Sequence, residues 1–172
     1  MVKKMTGAAV MLALCFVTTL LGIPTVFGYF HAGDAFALLS AYMLGPWYGV
    51  AVAALSGALS DLALGYAVYA PATLILRAVM AFVIVFMLRS ANGYRFSRFI
   101  VSSVVAECVM ILGYYLYHTV LVGNFAAPLV ALPTDGLQAA VSVILFQILT
   151  KTSDRFSLKS YFDPKKEKPN NH

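Results

Sequence analysis

The run from Asp34 to Gly65 constrains this chain most: 32 residues, almost all apolar or small, with one Gly45-Pro46 step inside it. As a single straight helix it would measure about 48 Å, too long for a bilayer core of about 30 Å. Proline has no amide to give a helix interior and glycine accepts a turn. The step therefore predicts a short helix over about 34–44 and a longer one over about 46–65.

The rest of the chain has the same character. It is 61% hydrophobic and 11% charged, where a soluble domain carries about 25% charged residues. This composition marks an integral membrane protein, and 172 residues leave room for six spanning helices at most. The expected fold is all-α, with six transmembrane helices over residues 1–151 and a charged cytoplasmic tail over 152–172. The remaining helices are expected over Met5 to Gly22, Pro71 to Leu88, 99–122 and 134–150, and the last residues, "DPKKEKPNNH", as disordered. The first helix is longer than the apolar part of a signal peptide and no small-x-small cleavage site follows it, so it is read as retained. "IPTVFGYFHAG" after it reads as a loop.

Charge orients the helices. With six spans, Lys3, Lys4, Arg89, Arg95, Arg98, Lys151, Arg155 and the lysines of the tail all fall on one side, as cytoplasmic flanks do, and both termini with them. Only Arg77 is left over. Counting 34–65 as one span would put the central cluster and the tail outside. The basic residues are thus membrane flanks, and no nucleic-acid partner is needed to explain them.

Ionisable groups at membrane depth usually face the bundle interior and mark a pathway or a binding site. Here they are Asp34, Asp61, Arg77, Glu107, His118 and Asp135, with His31 in the loop before them. All except Glu107 fall in the outer half. Glu107 lies near mid-membrane, and Tyr114 and His118 continue its helix face at i+7 and i+11. Asp135 and Gln138 share a face one turn apart. Tyr29, Tyr66, Tyr69 and Tyr114 supply aromatic walls for an outward-facing pocket. Plainer readings stand beside these: Asp34 as an N-cap, Arg77 in a structural ion pair with Asp61, His31 as a loop histidine, and the tyrosines as an interfacial belt.

No Walker-type phosphate loop and no His-Glu-x-x-His or Cys-x-x-Cys metal motif is present, so neither a resident cofactor nor a metal is expected. Cys15 and Cys108 lie in apolar segments without ligand spacing. An intramembrane hydrolase would have to use Ser56 or Ser60 with His118, or Asp34 with Asp61. The first lacks a base at fixed spacing and the second lacks the Gly-x-Gly-Asp element. A stand-alone secondary carrier coupling Glu107 or Asp61 to protons is the other alternative, though no inverted repeat supports it.

Three segments carry a more specific resemblance: "HAGDAFALLSAYMLGPWYGVAVAALSGALSDLALGYAVYAPATLILRA", "ECVMILGYYLYHT" and "LPTDGLQAAVSVI". The chain resembles the substrate-binding S component of energy-coupling factor (ECF) vitamin transporters, in the branch that includes bacterial hydroxymethylpyrimidine, pyridoxine and riboflavin-type uptake proteins. Arg77 stands where many relatives look to have lysine, and Asp135 where the motif resembles Pro-x-Asn-x-x-Gln. Ala9-x-x-x-Ala13 is similar to the small-residue motif by which S components pack on the coupling subunit. The resemblance implies capture of a vitamin from outside the cell membrane of a bacterium. It also implies a transmembrane coupling (T) subunit and two cytoplasmic ATPases that use ATP to drive release. Aromatic walls with Asp135, Gln138, Glu107 and Arg77 suit a pyridine or pyrimidine vitamin such as pyridoxine or hydroxymethylpyrimidine.

Overall fold

The computed structural model describes residues 2–25, 28–89 and 95–162. Six α-helices and one two-stranded hairpin make up the described chain: α1 (Val2–Leu20), β1 (Ile23–Thr25), β2 (Gly28–Phe30), α2 (Gly33–Ala63), α3 (Ala70–Leu88), α4 (Phe96–Val122), α5 (Leu132–Arg155) and α6 (Leu158–Phe162). Five of these helices, α1 to α5 with the 3-10 turn Ala127–Ala131 leading into the last, are long and apolar enough to cross a membrane.

The second is not straight. Gly45 takes φ 79 and ψ −165, outside the helical region, with Pro46 behind it. A Cβ at Gly49 would stand 2.5 Å from the Ser40 carbonyl oxygen, and the Ser40 hydroxyl donates to the Gly49 carbonyl at 3.0 Å. Nine residues of continuous helix would hold those groups about 13 Å apart, so α2 doubles back on itself at Gly45. Its two arms, 33–44 and 46–63, match the division the Gly45-Pro46 step predicts.

The outward faces of the bundle are apolar. Leu62, Phe86, Leu112, Val120 and Ile144 are each more than half exposed, which suits lipid as the surrounding solvent. Inside, one end is a hydrocarbon core: Leu38, Met80, Ile84, Phe99 and Phe146 are fully buried, with the Phe99 and Phe146 rings stacked 6.1 Å apart. The other end, where α1 gives way to the β1–β2 hairpin, collects the polar groups. β1 and β2 pair antiparallel with Pro24 opposite Tyr29 and Ile23 opposite Phe30. Within the segment expected to be a loop, Ile23–Thr25 and Gly28–Phe30 therefore form a paired ribbon that places Tyr29 and leads into His31.

Helix ends differ from the sequence reading in ways that local chemistry explains. α5 starts earlier, at Leu132, because the 3-10 turn feeds directly into it. It also runs on to Arg155, and α6 follows. The Phe162 ring packs on α1 where Gly7 leaves room for it, a Cβ there falling 2.6 Å from the ring. The first part of the charged tail is thus tied down by an aromatic contact. The rest of the tail and the turn over 90–94 lie outside the described residues.

Candidate functional site

Arg77 is the centre of the polar end. It sits two turns into α3, and Gly57 on the second arm of α2 faces it. A Cβ at Gly57 would fall 2.5 Å from Arg77 Cδ and 2.8 Å from its Nε, so only glycine lets the guanidinium pass. Arg77 Nη2 pairs with Asp34 Oδ1 at 2.8 Å, both side chains nearly inaccessible. The expectation of an Arg77–Asp61 pair is thereby corrected: the first arm of α2 returns Asp34 to Arg77, and Asp61 bonds elsewhere. Asp34 is not an N-cap either. Ala32 holds that position without a side-chain bond, and a charged guanidinium outcompetes helix amides for the carboxylate.

Gln138 on α5 completes the cluster. Its Nε2 donates to Asp34 Oδ2 at 2.8 Å, and its Oε1 accepts from the His31 backbone N–H at 3.0 Å. The Gly33 N–H meets His31 Nδ1 at 3.2 Å, and His31 Nε2 lies 3.3 Å from Arg77 Nη2. Burial beside Arg77 holds the imidazole well below the usual histidine range, at about 4, so it is neutral near pH 7. The hairpin is also tied to α2 by Tyr29, whose hydroxyl donates to Asp61 Oδ1 at 2.5 Å. Burial and the adjoining Asp61 raise the Tyr29 hydroxyl above the usual tyrosine range, which keeps its proton in place as a donor.

These groups enclose a cavity of about 50 Å³. Tyr29, His31 and Thr25 form its hairpin side, Asp61, Tyr66 and Tyr69 one wall, and Thr73, Arg77, Met110, Tyr114 and His118 the base and far wall. Thr134, Asp135 and Gln138 of α5 close it. The aromatic side is continuous: Tyr29–Tyr66 and Tyr66–Tyr69 ring centroids stand 5.4 and 6.1 Å apart. His118 lies between Tyr69 and Tyr114 at 5.4 and 5.9 Å. Tyr114 shares a 2.7 Å hydrogen bond with Thr73, while the Tyr117 hydroxyl donates to the Val68 carbonyl and so anchors the loop before α3.

Two polar atoms facing this centre are buried without a hydrogen-bond partner among the described residues: Arg77 Nη1, a donor, and Asp61 Oδ2. A sequence profile described as the ECF-type riboflavin transporter, S component, matches residues 1–155. The chain belongs to this family. No curated protein matches the sequence.

As an S component the protein is a multi-pass membrane subunit of a transporter, and its family is a substrate-binding component rather than an enzyme. Ten of the eleven residues expected at the site (Tyr29, His31, Asp61, Tyr66, Tyr69, Arg77, Tyr114, His118, Asp135 and Gln138) line the cavity. Glu107 does not. It is 2% exposed, one turn below Met110, and neither carboxylate oxygen has a hydrogen-bond partner among the described residues. Gly57, Thr73 and Met110 build the site without having been singled out in the sequence, and Asp34, read there as an interior ionisable group or an N-cap, joins it as the partner of Arg77. For Gly57 and Thr73 the available signal was their placement on the faces that carry Asp61 and Arg77, at i+4 in each case. Ala9 and Ala13 lie on the outward face of α1, away from the buried row Gly7, Met11, Cys15 and Thr19.

Proposed function

We propose that this S component binds a small, flat, water-soluble heterocyclic vitamin or precursor from the outer side and delivers it inward as part of an ECF transporter in a bacterial cell membrane. The two arms of α2 then count as separate crossings, giving six helices with both termini cytoplasmic and the cavity outside. Ala9 and Ala13 would offer a close-packing face to a T subunit, and two ATPases would supply ATP hydrolysis, for which this chain carries no motif.

The observation that carries the reading is the unfilled donor and acceptor, Arg77 Nη1 and Asp61 Oδ2, beside a wall of tyrosines. Aromatic faces suit a planar ring, and the two polar atoms suit ring heteroatoms and hydroxyls. A cavity of about 50 Å³ falls far short of the ~300 Å³ or more of a site holding a drug-sized ligand. That favours a one-ring vitamin such as pyridoxine or hydroxymethylpyrimidine, with Met110 displaced so that the ring reaches Glu107. The family description favours riboflavin as the second reading. Titration of the detergent-purified protein with all three compounds, alongside identification of any molecule that co-purifies, decides between them. Uptake by vesicles holding this chain alone would replace the ECF reading with a stand-alone carrier.

A further inference from the structure

The cavity is lined by two carboxylates, Asp61 and Asp135, and by one permanent cation, Arg77. That cation is already matched, because Asp34 takes its charge at 2.8 Å. Among the described residues neither Asp61 nor Asp135 forms an ion pair. Asp135 has a local reason for its place, since it stands in the first turn of α5, where the helix dipole favours an anion. Asp61 has the opposite setting. It lies in the last turn of the second arm of α2, which holds no basic residue there, at the negative end of the dipole. The side chain is 3% exposed, and its Oδ2 has no hydrogen-bond partner among the described residues. Two tyrosines with ring centroids 5.4 Å apart adjoin it: Tyr29 through its hydroxyl, and Tyr66 through a 2.8 Å bond from its N–H to the Asp61 carbonyl. A buried carboxylate oxygen, a helix C-terminus and aromatic faces all favour positive charge at the same point.

We propose that the ligand is a one-ring heterocycle with a positively charged nitrogen group, which sits at Asp61 against Tyr29 and Tyr66, and with an acceptor on its other side for Arg77 Nη1. The proposal rests on the vitamin-binding reading above and narrows its substrate class. A neutral ring could give Asp61 a hydroxyl, but it would leave the carboxylate charge at the helix end uncompensated. An anionic ring would find Arg77 already paired and would face both Asp61 and Asp135. The unfilled Nη1 donor sets the polarity of the bound ring, cationic side to the end of α2 and acceptor side to α3.

Three pyridines of nearly one size test this by calorimetric titration of the detergent-purified protein near neutral pH: pyridoxamine, with an ammonium group, pyridoxine, with a hydroxyl in its place, and pyridoxic acid, with a carboxylate. Pyridoxamine should bind about tenfold tighter than pyridoxine, the difference between a charge-assisted and a neutral hydrogen bond, and pyridoxic acid should bind weakest. Asp61→Asn keeps an acceptor for Tyr29 but removes the charge, and should bring the pyridoxamine-to-pyridoxine affinity ratio close to one. If that variant does not fold, Tyr66→Leu, which removes an aromatic face and leaves Asp61, should lower the ratio about two- to fivefold. Pyridoxine binding as tightly as pyridoxamine, pyridoxic acid binding tightest, or a ratio untouched in Asp61→Asn would overturn the proposal. Binding of riboflavin or pyridoxine without pyridoxamine would overturn it while leaving vitamin capture standing. Binding of none of these compounds would remove the vitamin-binding reading and this proposal with it.

Discussion

Arg77 and Asp34, 43 residues apart in sequence, form a 2.8 Å ion pair in which neither side chain is more than 3% exposed. The pair ties α3 to the first arm of α2, and Gln138 brings α5 to the same carboxylate. Three segments of the bundle are therefore joined by one buried charge cluster at the cavity. Such clusters are strongly destabilised by the loss of a single member, because the survivor is left charged and unpaired.

Replacing Arg77 with methionine should accordingly destabilise the protein by about 3–5 kcal/mol, measured as loss of thermal stability in detergent. Arg77→Met combined with Asp34→Leu should recover most of it, since no buried charge then remains. Ligand binding should stay lost in the double variant, because Arg77 Nη1 no longer faces the cavity.

The hairpin is held by Tyr29 to Asp61 and by the His31 N–H to Gln138. Tyr29→Phe removes only the first, a hydrogen bond to a carboxylate and so of the stronger kind, about 1.5–3 kcal/mol. The expected result is a faster ligand off-rate, by about tenfold or more, in a protein whose helix content is unchanged. Stopped-flow displacement would measure it, and an unaltered off-rate would count against the hairpin as the restraint on release.

Burial holds the His31 imidazole at about 4, below the ~6.5 of a free histidine. The unfolded chain therefore takes up the proton first as pH falls. The stability contributed by neutral His31 is complete above about pH 6.5 and is lost progressively toward pH 4. Thermal midpoints should fall across that window, and His31→Asn, which stays neutral, should flatten this part of the profile. A histidine with an ordinary titration would show no such slope.

How far the sequence revealed this architecture depends on whether the deciding contact is local. The break at Gly45-Pro46 was legible because a backbone without a usable amide next to a residue tolerant of positive φ is a local property. The inward-facing polar residues were legible because burying ionisable groups in a membrane is costly enough to single them out. Which acid meets Arg77 was not. Asp34 and Asp61 both lie on α2, and the choice between them depends on the rotation of two arms about their axes, fixed by packing such as Gly57 against Arg77. The hairpin was hidden for a related reason: strands of three residues each leave too little alternation to read, and their pairing is supported by side chains from distant helices.

The break makes its own prediction. Gly45 sits at φ 79 and ψ −165, a region almost reserved for glycine, where an L side chain is strained by about 1–3 kcal/mol. Gly45→Ala should lower stability by about that amount and no more, since a Cβ there meets nothing within 4 Å. Gly49→Ala should be worse although its backbone is helical, because the added carbon would press on the Ser40 carbonyl and the Ala41 backbone of the other arm. The reverse ranking in chemical denaturation would contradict the doubled-back path of α2.

Glu107 poses the sharpest question, since both its oxygens are buried without a hydrogen-bond partner among the described residues. A polar group in that condition lowers stability by about 1–3 kcal/mol. Filling the same space with an apolar side chain should relieve it. Glu107→Leu is therefore expected to raise the thermal midpoint. If Glu107 is the deep end of the ligand site, reached when Met110 moves aside, the same change should weaken vitamin binding about tenfold or more. A protein that becomes more stable while binding less well exhibits the trade-off of a residue kept for function. Calorimetry and ligand titration on the one variant measure both halves. A more stable protein with unchanged affinity would leave Glu107 outside the site and confine binding to Asp61, Arg77, Asp135 and Gln138.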